Sequence, residues 1–367
     1  MGIQNLHQQL KSIAIEKDIS EYKGKRIGVD MFVWLHNSIS SCAELLAHNR
    51  PTDAYVKFVE KCMRCMIHAG VTPVAVFDGD ALPAKAGENE ARKEKRDSNR
   101  AKALAAEAIG DNATARQYWV SALSVTDTMV KDTIARLKKM DIEVIVAPYE
   151  ADAQLAYMQR TGYIDVCCSV DGDLLAFGCT CLLTKFDHRS GTGKEICVTR
   201  DLSKVSGYNF KDWTADMFTM WCVTLGCDYL NNVRKCGPKK AFELIKQCGT
   251  NVAEIIKRMK MSNLEVPVDY MKDVKIALAC FHHMTVFDPQ NRKLTSLTPW
   301  PEQPEVTKAD MQFLNVSPED LEKEQRHQCG QHYDNSIARK VADGILMPKS
   351  KEPYALLAAP LPENSVA

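Results

Sequence analysis

Four short apolar runs punctuate the first half of the chain: "RIGV" leading into Asp30, "PVAVF" at 73–77, "EVIVA" at 143–147 and "DVCCSV" at 165–170. None alternates between polar and apolar positions. Uniform runs of this length are the pattern of strands buried on both faces. Longer stretches between them repeat apolar residues every three or four positions, which predicts helices over 53–68, 90–110, 115–140 and 151–160. Strands alternating with helices predict an α/β fold, a mostly parallel central sheet flanked by helices.

Each run hands over to acid. Asp30 closes the first, Asp78 follows the second, Glu150 and Asp152 the third, and Asp171 and Asp173 the fourth. A parallel sheet aligns its strand C-termini along one edge, where ligands bind. A single acid there is ordinarily a turn or helix-cap residue. Six acids from four consecutive strand ends are hard to explain as caps. Unpaired, they would repel one another and raise each other's pKa. Oxygen donors at that density suit a hard divalent cation such as Mg2+ or Mn2+. A seventh acid, Asp228, stands further on in "LGCDYLNNVRKCGPKKAFELI".

Charge counts alone point away from nucleic acid: Lys+Arg and Asp+Glu are 47 each. The charges are segregated, however. In "AKAGENEARKEKRDSNRAK", residues 84–102, seven Lys/Arg stand against four acids, and helical spacing aligns Arg92, Arg96 and Arg100. A charged solvated helix and a cationic stripe for a phosphate backbone are both open readings. After Asp228 come Arg234, Lys235, Lys239 and Lys240 before the next acid, with Gly237-Pro238 opening a helix. That is either a solvated basic turn or a phosphate-binding helix start. An acidic centre with basic surroundings is a plausible geometry for cutting nucleic acid.

Fourteen cysteines do not suggest a disulfide framework, because the chain opens with no secretory pattern; reduced thiols in an intracellular compartment are expected. Cys62 and Cys65 lie in a helical pattern, which favours helix thiols over a zinc site. No apolar run approaches the roughly 18 residues of a membrane span.

The stretches "MGIQNL", "VDMFVWLH", "PVAVFDGDALPAK", "APYEADAQLAY", "DGDLLAFG", "GCDYL" and "VFDPQNRKL" together resemble the structure-specific 5′-nuclease superfamily, of the flap endonuclease and exonuclease 1 type. "VFDPQNRKL" and "GQHYDNSIARKVADG" place the resemblance nearer the exonuclease 1 side, and it extends to about Gly344. The resemblance implies two Mg2+ ions, replaceable by Mn2+, with Asp30, Asp78, Glu150 and Asp152 mainly at one and Asp171, Asp173 and Asp228 mainly at the other. It implies Lys85 and Arg92 on the scissile phosphate at the base of a helical arch, about 82–130. Phe32 would stack on a base, His36 would lie where duplex is wedged, and Gly2 would lie near the site. Arg96 and Arg100 would extend the DNA track. A helix–two-turn–helix over about 216–250, with Arg234, Lys235, Gly237, Lys239 and Lys240, would grip duplex DNA with a bound K+.

The implied activity is 5′→3′ removal of nucleotides from double-stranded DNA at a nick, gap or recessed 5′ end, with 5′-flap cleavage, in the nucleus during repair. A replication-type flap endonuclease is the nearest alternative. A haloacid-dehalogenase-type phosphatase, read from "VAVFDGDALP", leaves Asp228 and the basic segments unexplained. Mismatch-repair partners belong to the resemblance and have no support in these residues; a monomer is expected. The catalytic core is expected over 1–288, a segment wrapping back on it over 289–345, and a loose tail over 346–367. Three departures stand out. Asn5 replaces a usual Gly, Val170 replaces a frequent acid, and Lys235 replaces the first Gly of a Gly-x-Gly turn, although Lys adopts positive φ reluctantly.

Overall fold

A computed structural model describes residues 2–3, 5–302 and 306–357. Among the described residues nine strands occur in chain order: β1 (Ile15–Asp18), β2 (Arg26–Asp30), β3 (Thr72–Phe77), β4 (Glu143–Val146), β5 (Val166–Cys168), β6 (Cys181–Asp187), β7 (Thr192–Cys197), β8 (Thr285–Asp288) and β9 (Lys293–Ser296). Seven form one sheet in the order β1-β7-β6-β5-β2-β3-β4. The pairs β2/β3, β3/β4, β2/β5 and β5/β6 are parallel; β7 is antiparallel to both β6 and β1. β8 and β9 form a separate antiparallel hairpin.

The four predicted strands form the contiguous middle and edge of this sheet, and their apolar residues feed two cores, one on each face. Ile27, Val29, Val74, Val76 and Cys167 are all fully buried. The chain leaves central β2 toward β3 and β4 on one side and later returns through β5 and β6 on the other. A ligand crevice forms at the strand C-termini where the winding direction reverses.

The helices follow the periodic stretches, with one correction. The predicted helix over 115–140 is two, Asn112–Ala122 and Asp127–Lys139. Leu123 turns extended, and Thr126 caps the second helix by accepting from the Met129 N–H at 3.3 Å. The predicted 90–110 helix starts earlier, running over Ala86–Ala108. Its distal half packs on Asn112–Ala122, with Ala103 and Ala106 buried.

The tail expectation also needs correction. Within 346–357, Met347 and Tyr354 are buried, Leu346 pairs with Pro353, and Lys131 Nζ donates to the Leu357 carbonyl at 2.9 Å. The apolar side chains of this segment join the core on one face of the sheet. Residues 358–367 of the expected tail lie outside the described residues. All fourteen cysteines are free thiols, and burial pushes the Cys62 thiol up to about 12. Among the described residues no helix is long and apolar enough to cross a membrane.

Candidate metal centre

Asp30 ends β2 and caps the helix Met31–Ala47: its Oδ1 accepts from the Phe32 and Val33 N–H groups at 3.0 and 3.3 Å. Its Oδ2 accepts from Ser169 Oγ at 2.9 Å, and the same Oγ accepts from the Asp171 N–H at 3.1 Å. Ser169 thus ties the end of β2 to the loop after β5. Asp78 accepts from the Ala151 N–H at 2.8 Å and so caps the next helix, Ala151–Arg160, from a different strand end. Glu150, at that helix's own N-cap position, makes no cap bond. The capping explanation for Glu150 therefore fails, and its carboxylate is turned to other use. Glu150 Oε2 accepts from the Tyr229 hydroxyl at 2.7 Å, and its Oε1 is a buried oxygen with no hydrogen-bond partner.

The N-terminal segment closes the site. The Ile3 N–H donates to Asp173 Oδ1 at 2.5 Å, and Asp171 accepts from the Asp173 N–H at 3.1 Å. Gly2 has φ 78, and a Cβ there would collide with Oδ1 of both Asp171 and Asp173. Its lack of a side chain is therefore a packing requirement at the carboxylates themselves. His7 Nε2 lies 2.8 Å from the Val170 carbonyl and holds this segment to the β5 exit. Val170 leaves its own side chain exposed.

Burial, then the nearby Asp78, pushes the Asp30 carboxyl up to about 7. Burial, with Glu150 adding to it, pushes Asp78 up to about 6, although the Ala151 N–H opposes the rise. Asp152 is raised by burial and by Asp171 and Asp30; Asp173 by burial and by Asp171. These couplings show the strand-end acids gathered within electrostatic reach of one another. Asp228 differs. Burial alone would raise it, but Lys85 and Arg92 hold it below the ordinary carboxylate range.

Lys85 lies within this cluster, with Nζ 3.0 Å from Glu150 Oε2 and 3.1 Å from Asp228 Oδ2. Arg92 reaches Asp228 Oδ2 at 2.8 Å and Glu88 at 2.8 Å. Beneath them Tyr229 lies 5.4 Å from Lys85 Nζ as a cation–π partner and packs edge-on against Phe281. Among the described residues no three His, Cys, Asp or Glu side chains stand ready-made around a metal position. Lys85 pairs with two of these acids, Glu150 and Asp228. The donor set nonetheless fits a hard divalent cation: every candidate ligand is an oxygen, one is a buried orphan, and burial with neighbouring carboxylates disfavours the charged form of several of them.

The DNA-contact candidates divide. Phe32 is half-buried in the first turn after Asp30. His36 lies near the helix Ala86–Ala108, where burial and repulsion from Arg92 and Arg96 hold its imidazole below the ordinary value. Arg100 is exposed further along that helix. Arg234, Lys235, Gly237, Lys239 and Lys240 form a separate exposed surface between the helices Ala215–Leu225 and Pro238–Cys248. Asn232 Nδ2 staples this double turn, donating to the Thr224, Leu225 and Cys236 carbonyls at 3.0, 3.0 and 2.9 Å. Lys235 has φ 67 and Asn5 has φ 60. Both residues standing in for glycine thus adopt the left-handed backbone. Asp80, the second acid of the phosphatase reading, accepts from the N–H of its neighbour Ala81.

Two family models match, the XPG N-terminal domain over residues 1–99 and the XPG I-region over 141–228. They take in just over half of the chain and contain all the acids above, with Lys85 and Arg92. The chain belongs to the structure-specific 5′-nuclease superfamily. Within that superfamily it is 35% identical over 349 residues to exonuclease 1 of Xenopus laevis, covering 94% of this chain and 45% of that protein. It is 32% identical over 354 residues to exodeoxyribonuclease 1 of Saccharomyces cerevisiae, covering 95% and 50%. The chain therefore spans about half the length of these relatives. In fold it is similar to the catalytic core of Rad2 in complex with DNA substrate, with TM-score 0.56 at 19% identity over 88% of this chain and 98% of that one.

Sequence reasoning missed Ser169 and Tyr229 as members of the site. Both were adjacent to the acids in the sequence, Ser169 two residues before Asp171 and Tyr229 directly after Asp228. Nothing local said that their hydroxyls turn inward.

Proposed function

We propose that the protein is a divalent-metal-dependent 5′ nuclease. It acts on double-stranded DNA at a nick, gap or recessed 5′ end, cuts 5′ flaps, and serves DNA repair in the nucleus. The observation that carries this reading is the buried gathering of strand-end carboxylates with Lys85 and Arg92 placed among them. Asp30, Asp78, Glu150, Asp152, Asp171, Asp173 and Asp228 would hold two Mg2+ or Mn2+ ions, which would activate a water and stabilise the leaving oxygen of a phosphodiester. Lys85 and Arg92 would contact the scissile phosphate and stabilise its developing charge. Phe32 would stack on a base beside the cut, and His36 would meet the duplex at its discontinuity. Arg96 and Arg100 would carry the strand along the arch.

The exposed bases at 234–240 and the start of the helix Pro238–Cys248 would hold uncleaved duplex through its phosphates. The positive φ of Lys235 supports a family-like turn there, and bound K+ is part of the same proposal. A labelled nicked duplex with Mg2+ or EDTA, comparing the wild type with Asp171→Ala, tests the reading. Metal-dependent release of short 5′ products that the variant loses is expected. Equal activity in the variant would refute the site assignment. Substrates with blocked 5′ ends separate exonuclease action from flap cleavage.

A further inference from the structure

The acid cluster is divided in its charge balance. Lys85 lies against Glu150 and Asp228, and Arg92 against the same Asp228 oxygen. Side-chain exposure is 16% for Lys85, 11% for Glu150 and 10% for Asp228. Pairs so withdrawn from water interact much more strongly than surface pairs. Among the described residues Asp30, Asp78, Asp152 and Asp173 have no such direct cationic partner; the bonds made by Asp30, Asp78 and Asp173 are to backbone N–H groups or a hydroxyl. The two cations come from adjoining elements, Lys85 from the short helical turn Pro83–Lys85 and Arg92 from the helix Ala86–Ala108, where it is also tied to Glu88 one turn earlier.

We propose that Lys85 and Arg92 are exchangeable internal counter-ions. Without DNA they neutralise Glu150 and Asp228. When a phosphate backbone arrives they transfer to it, and the two carboxylates are released for divalent metal. DNA binding and metal binding therefore strengthen each other, by the same factor in each direction. This rests on the metal reading of the acids above. The exchange moves two cations from two carboxylates to phosphate oxygens, breaks no covalent bond and leaves total charge unchanged. It also makes the arch base report substrate before the metal site is fully formed.

Mn2+ binding to the full chain without DNA, followed by the electron paramagnetic resonance of free Mn2+, tests the exchange. Lys85→Met keeps the apolar stem and removes the charge. It is expected to bind Mn2+ about tenfold tighter than the wild type, from the loss of one cation at contact distance. Lys93→Ala removes the same charge from the exposed side of the arch helix and is expected to change affinity less than about twofold, as a solvent-screened charge should. In Ca2+ titrations with nicked duplex, followed by fluorescence anisotropy, DNA affinity should rise with Ca2+ in the wild type and rise less in Lys85→Met. Unchanged or weaker Mn2+ binding in Lys85→Met overturns the proposal. Should that variant not fold by circular dichroism, Arg92→Gln decides it by the same criterion. If the wild type binds no Mn2+ and Asp171→Ala is indistinguishable from it, the metal reading itself fails. If Asp171→Ala loses Mn2+ but Lys85→Met does not gain it, only the exchange fails.

Discussion

The sheet edge and the double turn at 226–237 are both charged, and they handle charge in opposite ways. At the sheet edge, carboxylates are crowded behind protein, and burial raises Asp30, Asp78, Asp152 and Asp173 toward neutrality. At the double turn and the helix start that follows it, Arg234, Lys235, Lys239 and Lys240 are exposed to solvent. Buried like charges store free energy that a cation can release; exposed like charges store little and act mainly on a polyanion at the surface. The two regions should therefore fail differently. Damage to the first should remove chemistry, and damage to the second should weaken binding.

The largest expected effect is on the buried side. Asp171→Ala should lower the turnover of a nicked duplex at saturating DNA by about a thousandfold, the scale of losing a main electrostatic element of a site. A loss confined to KM would dissolve the contrast. Arg92→Ala should follow with about a hundredfold loss in turnover, because it touches both the acids and the proposed phosphate.

On the exposed side, the fourfold alanine variant at Arg234, Lys235, Lys239 and Lys240 should keep turnover at saturating DNA. Its DNA affinity should fall, and the slope of log affinity against log salt should flatten by about 0.9 for each phosphate that these side chains no longer neutralise. An unchanged slope would mean these bases do not meet phosphate.

Metal removal sharpens the comparison through pH. Carboxyls raised in the folded protein favour it most below their unfolded values near 4, and that contribution is lost as pH rises through about 6 for Asp78 and about 7 for Asp30. The metal-free protein should thus lose stability from pH 5 to pH 8, while bound metal keeps the acids ionised. The difference in Tm between Mg2+ and EDTA samples should widen over that range. A constant difference would show that the acids are not relieved by metal. The smallest effect is expected for Lys235→Gly, which should stabilise the fold by about 1 kcal/mol in chemical denaturation, because glycine tolerates φ 67 where lysine is strained.

The sequence by itself determined the four parallel strands and the acids at their ends. Uniform apolar runs are a local consequence of burial on both faces, and a strand's last residue faces the edge whatever its partner is. It could not show β1, β6 and β7. "IEKD" and "TGKEIC" are too polar to read as strands; the first becomes a strand only by pairing with the second from about 180 residues away, and the second also pairs with β6 in a hairpin. Tertiary structure alone decided that Asp78 caps the helix beginning at Ala151 and leaves Glu150 free of capping, that Ser169 and Tyr229 turn inward, and that residues 346–357 dock. It also decided that Lys85, more than sixty residues from Glu150, neutralises it. Each of these is a contact between distant segments, and local periodicity records which face a residue prefers to bury without recording what lies opposite.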